Sequence, residues 1–220
     1  MPPSELPART WGGRRVGAGR PKTGLCEDEP HRERPEVRSD EVQHVVLRAA
    51  AGHPSLRSPR AVATIARALR IALGHADFRI VHVSIQRDHI HLLIEADSKD
   101  AFSRGMRSLT IAAARGLNKV LDRSGKVFPH RYHHTPVATP TQMHLALSYV
   151  LNNWRRHDEA EAGATFDPCS TARHFDGWRE PLPAPAHDEL LPSATPQSAL
   201  LIDGWRRLGK ISAYDVPKKL

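Results

Sequence analysis

The feature of the sequence that most limits its fold is a pair of apolar, β-branched segments with only two residues between them. Residues 78–86 (FRIVHVSIQ) and 89–95 (HIHLLIE) are separated by Arg87 and Asp88. Such segments are typical of β-strands, and a two-residue connection joins antiparallel neighbours. The sequence therefore predicts a tight β-hairpin, and the fold must place these two strands side by side.

Other periodic segments flank this hairpin. Runs of β-branched residues predict strands, and apolar residues at helical spacing predict helices. They give a strand at 42–48, helices at 59–74, 98–121 and 140–157, and a strand at 126–134 that Pro129 interrupts. The order is β-α-β-β-α-β followed by one more helix. It predicts an α+β protein with a ferredoxin-like (split βαβ) antiparallel sheet, helices on one face and an extra C-terminal helix.

Charge and proline divide the chain into three parts. Residues 1–41 carry 8 basic and 8 acidic side chains, 42–157 carry 17 and 6, and 158–220 carry 7 and 10. We therefore expect a disordered arm at 1–41, a folded domain at 42–157 and a Pro-rich C-terminal extension at 158–220. The basic middle part favours a polyanionic partner such as nucleic acid, although a basic surface without a partner is also compatible.

Cysteine usage and hydropathy indicate the compartment. The two cysteines, Cys26 and Cys169, are too far apart to suggest a disulfide framework or a CxxC metal site. No apolar run approaches the roughly 20 residues that span a bilayer, and the first 30 residues do not resemble a signal peptide. The sequence therefore predicts a cytoplasmic protein without membrane attachment.

The second strand of the hairpin alternates strictly between its two faces. The apolar residues at positions 90, 92 and 94 face the helices, and His89 and His91 lie on the opposite face. Residues at this spacing have Cα atoms about 6–7 Å apart, so both imidazoles can bind one divalent ion. A third ligand must come from elsewhere in the fold. Without it, two histidines on an exposed face are ordinary polar surface.

The predicted helix 140–157 offers two further groups. Tyr149 and Asn153 are four residues apart and therefore lie on one face, beside the apolar stripe. If this helix packs beside the strand, Asn153 can give a metal an oxygen ligand and Tyr149 can reach a phosphate. The alternative is a half-buried tyrosine at the edge of a helix.

Taken together, these segments resemble the single-tyrosine HUH transposases. The resemblance covers about residues 42–178 and rests on QRDHIHLLIEA, RGMRSL, GKVFPHRYH and LSYVLNNWRRH, in that order. It is closest to REP-associated and related insertion-sequence transposases. His89-Ile90-His91 matches the His-hydrophobic-His motif, and Tyr149 with Asn153 matches the tyrosine followed four residues later by Asn or Gln. REP-associated members often continue Asn-Pro-Val, whereas Trp154-Arg155 follows here.

The resemblance implies a chemistry for the 42–157 domain. Such enzymes cut and rejoin single-stranded DNA, commonly near hairpins, by transesterification. It implies that Tyr149 attacks the scissile phosphate and forms a 5′-phosphotyrosine, with Mg²⁺ or Mn²⁺ held by His89, His91 and Asn153. It also implies single-stranded or hairpin DNA as the partner, and a homodimer whose tyrosine helix acts in cis or in trans.

Several basic side chains are candidates for DNA contacts, because cations at helical spacing can follow a phosphate backbone. A solvated helix face is the alternative for those on helix 98–121, and a favourable charge at a helix C-terminus is the alternative for the last two. The candidates are Arg104, Arg107, Arg115, Lys119, Arg131, His133, Arg155 and Arg156.

Two other functions remain open at this point. A non-catalytic DNA-binding regulator on the same scaffold is disfavoured, because His89, His91, Tyr149 and Asn153 are all present. A metal-free phosphoesterase with two His-containing strands is disfavoured more strongly. It needs two similar motifs related by the symmetry of the fold, and adjacent strands of one hairpin do not supply that.

Overall fold

The computed structural model describes residues 36–157, 159, 163–181 and 191–217. Most of the arm expected at 1–41 lies outside these residues, as does Cys26. No helix in the described part is long and apolar enough to cross a membrane. The elements are β1 (Val42–Arg48), α1 (Pro59–Ala72), β2 (Phe78–Ile85), β3 (His89–Ala96), α2 (Lys99–Val120), β4 (His133–Val137), α3 (Pro140–Arg156) and α4 (Ala199–Ile202), with short 3-10 turns at Ala172–His174 and Gly204–Leu208.

The four strands form one antiparallel sheet in the order β2-β3-β1-β4. The hairpin predicted from residues 78–95 is confirmed, with Phe78 opposite Ala96 and Ile85 opposite Ile90. The α+β class with an antiparallel sheet is confirmed as well. α1 and α2 pack on one face of the sheet and form the first core with it, and α3 packs on the other face and forms the second core.

The predicted fourth strand is wrong in its position. The sequence pattern placed it at 126–134, whereas β4 begins at His133. Val127 is buried against the first core and Phe128 packs beside it without strand pairing, so their apolar character reflects packing and not a β-ladder. Pro136 is tolerated in β4 because the strand lies at the edge of the sheet, where a missing N–H costs little.

The described part of the C-terminal segment, residues 163–181 and 191–217, packs mainly on the same face of the sheet as α3. Trp178, Trp205 and Ile211 are buried in one cluster with Leu147 and Val150 of α3. Backbone hydrogen bonds also join this segment to β2, from Ile85 N–H to the Cys169 carbonyl at 2.9 Å, from Thr171 N–H to the Val83 carbonyl at 2.9 Å and from Ala194 N–H to the Ile80 carbonyl at 2.7 Å. The free edge of β2 is thereby covered.

Two acidic side chains fasten this segment to the rest of the protein. The carboxylate of Asp167 is fully buried and accepts two hydrogen bonds from Arg57, at 2.9 and 3.1 Å. The Glu95 carboxylate on β3 accepts the backbone N–H groups of Gln197 and Ser198, both at 2.8 Å. The two carboxylates therefore join residues that are 110 and 102 positions apart in sequence.

His82 makes the stability of this second core depend on pH. Its ring is buried beside Phe175 and bonds to Thr171 Oγ1 at 3.2 Å, and burial lowers its pKa from 6.5 to about 3. Between pH 6.5 and about 3, His82 is protonated in the unfolded chain but not in the folded protein. The free energy of unfolding therefore decreases by about 1.4 kcal/mol for each unit by which the pH is lowered in this range. Replacing His82 by glutamine should reduce the slope of unfolding free energy against pH between pH 6 and 4 by that amount. Urea unfolding with EDTA at several pH values measures it, and an unchanged slope contradicts the assignment.

Candidate active site

A cavity of about 550 Å³ opens on the α3 face of the sheet, over β1 and β4. Five histidines, two arginines and a tyrosine are among the residues that line it. The histidines come from three strands and from the end of α3. The lining includes His44, His89, His91, His133, His157, Arg48, Arg156 and Tyr149.

The two predicted ligand histidines lie side by side in the wall of this cavity. His89 and His91 are 3% and 2% exposed, and their ring centroids are 4.7 Å apart. His89 Nδ1–H donates to Asp88 Oδ1 at 2.6 Å, because the carboxylate can only accept. The Nε2 atom of His89 is therefore left with a lone pair. His91 Nδ1 lies 3.0 Å from His44 Nε2.

α3 brings the tyrosine and the asparagine to the same place. Thr139 and Gln142 form a capping box with Pro140 in the first turn, which fixes where the helix begins. One turn apart, Tyr149 and Asn153 then face β1 and β3. The Tyr149 ring centroid lies 5.2 Å from that of His91, and Asn153 Nδ2 lies 3.5 Å from His89 Nε2.

The donor atoms that converge here fit a divalent metal. His91 Nε2 and Asn153 Oδ1 are buried and have no hydrogen-bond partner in the described structure, a costly state unless a ligand occupies the space. Together with His89 Nε2 they give two imidazole nitrogens and one amide oxygen. Within the described ranges, no group of three His, Cys, Asp or Glu side chains is arranged to hold a metal ion. The Asn153 oxygen is the candidate for a third protein ligand.

Burial keeps these imidazoles uncharged at neutral pH. It lowers the pKa of His91 to about 2 and that of His44 to about 4, with neighbouring histidines adding to the effect. Burial also lowers the pKa of His89, although the Asp88 carboxylate opposes this shift. Neutral imidazole is the form that binds metals. The electrostatics of the site therefore agree with its geometry.

Several residues of the site were not predicted from the sequence. His44 and Arg48 lie on β1, and strict alternation along 42–48 would have placed both on the face of His89 and His91. Asp88, in the hairpin turn, bonds to His89 and also to Arg48 Nη1 at 3.0 Å. His157 ends α3, and its ring centroid lies 4.9 Å from that of His89. These residues belong to no sequence motif. The strand order and register of the sheet bring them together.

The predicted DNA-contacting residues are divided between the two faces of the protein. His133 and Arg156 line the cavity. Arg104, Arg107 and Arg115 line a groove between α1 and α2 on the opposite side of the sheet, where Arg104 also pairs with Asp77. Two of the remaining predicted residues do not line the cavity either, namely Lys119 in the last turn of α2 and the exposed Arg131.

Arg155 uses its donors inside the protein. Its guanidinium donates to the carbonyl oxygens of Ala213 at 2.7 Å, Thr165 at 2.9 Å and Ala164 at 3.2 Å. It also lies over the rings of Trp154 and Tyr214, at 4.8 and 5.2 Å from their centroids. These contacts hold α3 to the C-terminal segment, and a DNA contact of Arg155 stays a prediction.

The chain matches a protein-family model and is similar to solved structures. The model of a family described as "Transposase IS200 like" matches residues 39–153. A solved REP-associated tyrosine transposase bound to a REP hairpin is 12% identical, with a TM-score of 0.48 over 59% of this chain and 74% of that chain. A transposase candidate from Deinococcus radiodurans R1 is 16% identical, with a TM-score of 0.38 over 59% and 95%. No curated protein matches.

Proposed function

We propose, because this chain belongs to the IS200-like transposase family, that it cuts and rejoins single-stranded DNA beside hairpins through a covalent link to Tyr149. One observation carries the proposal. Tyr149 and the two β3 histidines line one cavity, Asn153 contacts His89 behind it, and the buried Nε2 of His91 and Oδ1 of Asn153 have no partner among the described residues.

The reaction conserves the number of phosphodiester bonds. The Tyr149 oxygen attacks the scissile phosphorus and loses its proton, and the bond from phosphorus to the 3′ oxygen breaks. The 3′ oxygen leaves with the electron pair and takes up a proton, which gives a 5′-phosphotyrosine and a free 3′-OH. Attack by another 3′-OH reverses these steps and joins two strands. Because the phosphodiester energy is kept in the phosphotyrosine, no ATP is needed.

The residues around Tyr149 suit this chemistry. A phenol ordinarily ionises near pH 10, so at neutral pH its proton needs an acceptor. The rings of His91 and His44 have their centroids 5.2 and 5.8 Å from that of Tyr149, but burial lowers the pKa of both, so we assign the proton to a water molecule in the cavity. Mg²⁺ or Mn²⁺ held by His89, His91 and Asn153 would supply Lewis-acid polarisation of the phosphate.

Charge supports DNA as the partner on both faces of the protein. Arg48, Arg156 and His133 line the cavity and would contact the single strand next to the cut. On the other face, α1 and α2 together carry eight basic residues and one acidic residue. We assign Arg104, Arg107, Arg115 and Lys119 there to the backbone of a second DNA segment, such as a hairpin stem. The protein would act in the bacterial cytosol or nucleoid, as a homodimer.

A covalent-adduct assay tests the proposal. Purified protein is mixed with hairpin-bearing single-stranded DNA libraries in Mn²⁺, Mg²⁺ or EDTA, and denaturing gels report the adduct. We expect an adduct only with metal, and expect mass spectrometry to place it on the peptide that contains Tyr149. Tight, salt-sensitive DNA binding without an adduct from any library would contradict the proposal and favour the non-catalytic regulator.

A further inference from the structure

His44 on β1 makes a direct contact with one of the proposed metal ligands. Its Nε2 lies 3.0 Å from His91 Nδ1, and the two rings are tilted by only 14° with centroids 5.2 Å apart. Nearly parallel rings at this separation can place the donor proton and the lone pair close to one line. Both side chains are buried, at 8% and 2% exposure. The contact is therefore a well-aligned hydrogen bond that water does not weaken.

A neutral imidazole has one N–H and one lone pair, so this hydrogen bond has two possible arrangements. In the first, His91 Nδ1–H donates to His44, and His91 Nε2 keeps a lone pair toward the cavity. In the second, His44 Nε2–H donates to His91, and His91 Nε2–H points into the cavity. Only the first arrangement leaves His91 able to bind a metal through Nε2.

The surroundings favour the first arrangement. His91 Nε2 is buried and has no acceptor in the described part of the chain, so an N–H there would be an unsatisfied donor, at a cost of about 1–3 kcal/mol. The neighbouring His89 is already fixed in the corresponding state, since its Nδ1–H donates to Asp88 at 2.6 Å. Asn153 Oδ1 is a second buried acceptor without a partner among the described residues. His89 Nε2 has only a long contact, 3.5 Å, with Asn153 Nδ2. Unprotonated nitrogens on both histidines, with this amide beside them, favour a cation.

We propose that His44 is the positioning residue that holds His91 in its Nδ1–H tautomer and so aims the Nε2 lone pair at the metal site. This inference rests on the proposed function, because it concerns the same site. It gives each ligand histidine its own acceptor, a carboxylate for His89 and a neutral imidazole for His91. Such partners of metal ligands set ring orientation and tautomer.

The tautomer can be measured without any metal or DNA. Long-range ¹H–¹⁵N NMR of histidine-labelled, metal-free protein at pH 7.5 distinguishes a protonated ring nitrogen from an unprotonated one. We expect His91 to be protonated on Nδ1 in the parent protein. His44→Leu removes the acceptor and fills part of its space with an apolar side chain. In this variant we expect the Nε2–H tautomer of His91 to appear. A parent protein with His91 protonated on Nε2 overturns the proposal, whatever the variants do.

Metal affinity gives the second readout. Calorimetric titration with Mn²⁺ alone should show about 10–100-fold weaker binding in His44→Leu, the usual effect of losing a partner of a metal ligand. His44→Gln should recover most of the affinity, because its amide oxygen can accept from His91 Nδ1–H. His82→Gln, which changes a buried histidine of the second core, is the matched control and should bind Mn²⁺ like the parent.

The outcomes separate this inference from the proposed function. If folded His44→Leu binds Mn²⁺ as tightly as the parent, the proposal is overturned, and a loss of adduct in that variant would indicate that His44 acts on Tyr149 instead. If the parent binds no Mn²⁺ and forms no adduct, the proposed function fails. The NMR result then still decides whether His44 sets the tautomer of His91.

Discussion

Tyr149→Phe is expected to lower covalent adduct formation by about 10³-fold or more, because the variant keeps the ring but lacks the attacking oxygen. The ring fills the same space beside His91, with which it makes an edge-to-face contact at 5.2 Å, so the fold should persist. DNA binding loses at most one hydrogen bond, about 0.5–1.5 kcal/mol. Denaturing gels and a parallel binding titration measure the two effects on one preparation.

Tyr132→Phe is the matched control for this result. Tyr132 packs against Phe102 of the first core, on the other side of the sheet, with ring centroids 5.7 Å apart. We expect this variant to form the adduct at the parental rate. An adduct that persists in Tyr149→Phe would show that another residue is the nucleophile, and the same change at Tyr132 or Tyr214 would identify it.

Asp167→Ala is expected to lower the free energy of unfolding by about 3–5 kcal/mol, the usual cost of removing one partner of a buried ion pair. The Asp167 side chain is fully buried and that of Arg57 is 13% exposed. Without the carboxylate, the partners left to Arg57 among the described residues are the Ile85 carbonyl and Glu159, whose carboxylate is 3.5 Å from its Nε. Because small domains are stable by about 5–15 kcal/mol, this is a large loss. Urea unfolding in EDTA measures it.

Asp176→Ala provides the comparison. Asp176 also pairs with an arginine, Arg206, at 2.7 and 2.8 Å, but both residues belong to the C-terminal segment and the Asp176 side chain is 74% exposed. A solvated pair of this kind contributes about 0–1 kcal/mol. Equal losses from the two variants would mean that burial is not what makes the Asp167 pair important.

The parts of the protein that the sequence predicted are those with a local cause. β3 alternates because one of its faces packs on α1 and α2, so the directions of His89 and His91 follow from their neighbours in sequence. α3 carries its own start signal in Thr139 and Gln142, and a four-residue spacing places Tyr149 and Asn153 on one face whatever the tertiary structure. All three helix predictions and the hairpin therefore agree with the structure to within two residues at each end.

The features of the protein that were not predicted from the sequence depend on contacts between segments far apart in the chain. Asp167 lies 110 residues from Arg57, and no periodicity around either residue indicates that they meet. Trp178 and Trp205 stand outside the periodic segments that predicted helices and strands, yet both are buried. The role of His44 depends on register as well as on strand order, because Val46 and not His44 stands opposite His91 in the ladder.

The two edges of the sheet have a consequence for how copies of this protein can associate. An open strand edge invites another chain to add to the sheet, which leads to fibres and aggregates. Here β2 is covered by residues 169–171 and Ala194, and β4 is a five-residue strand with a proline that has no N–H to offer. Neither edge in the described part of the chain can serve as a template for strand addition. Copies that associate would therefore join through side-chain surfaces, and the sheet itself gives the protein no route to open-ended polymerisation.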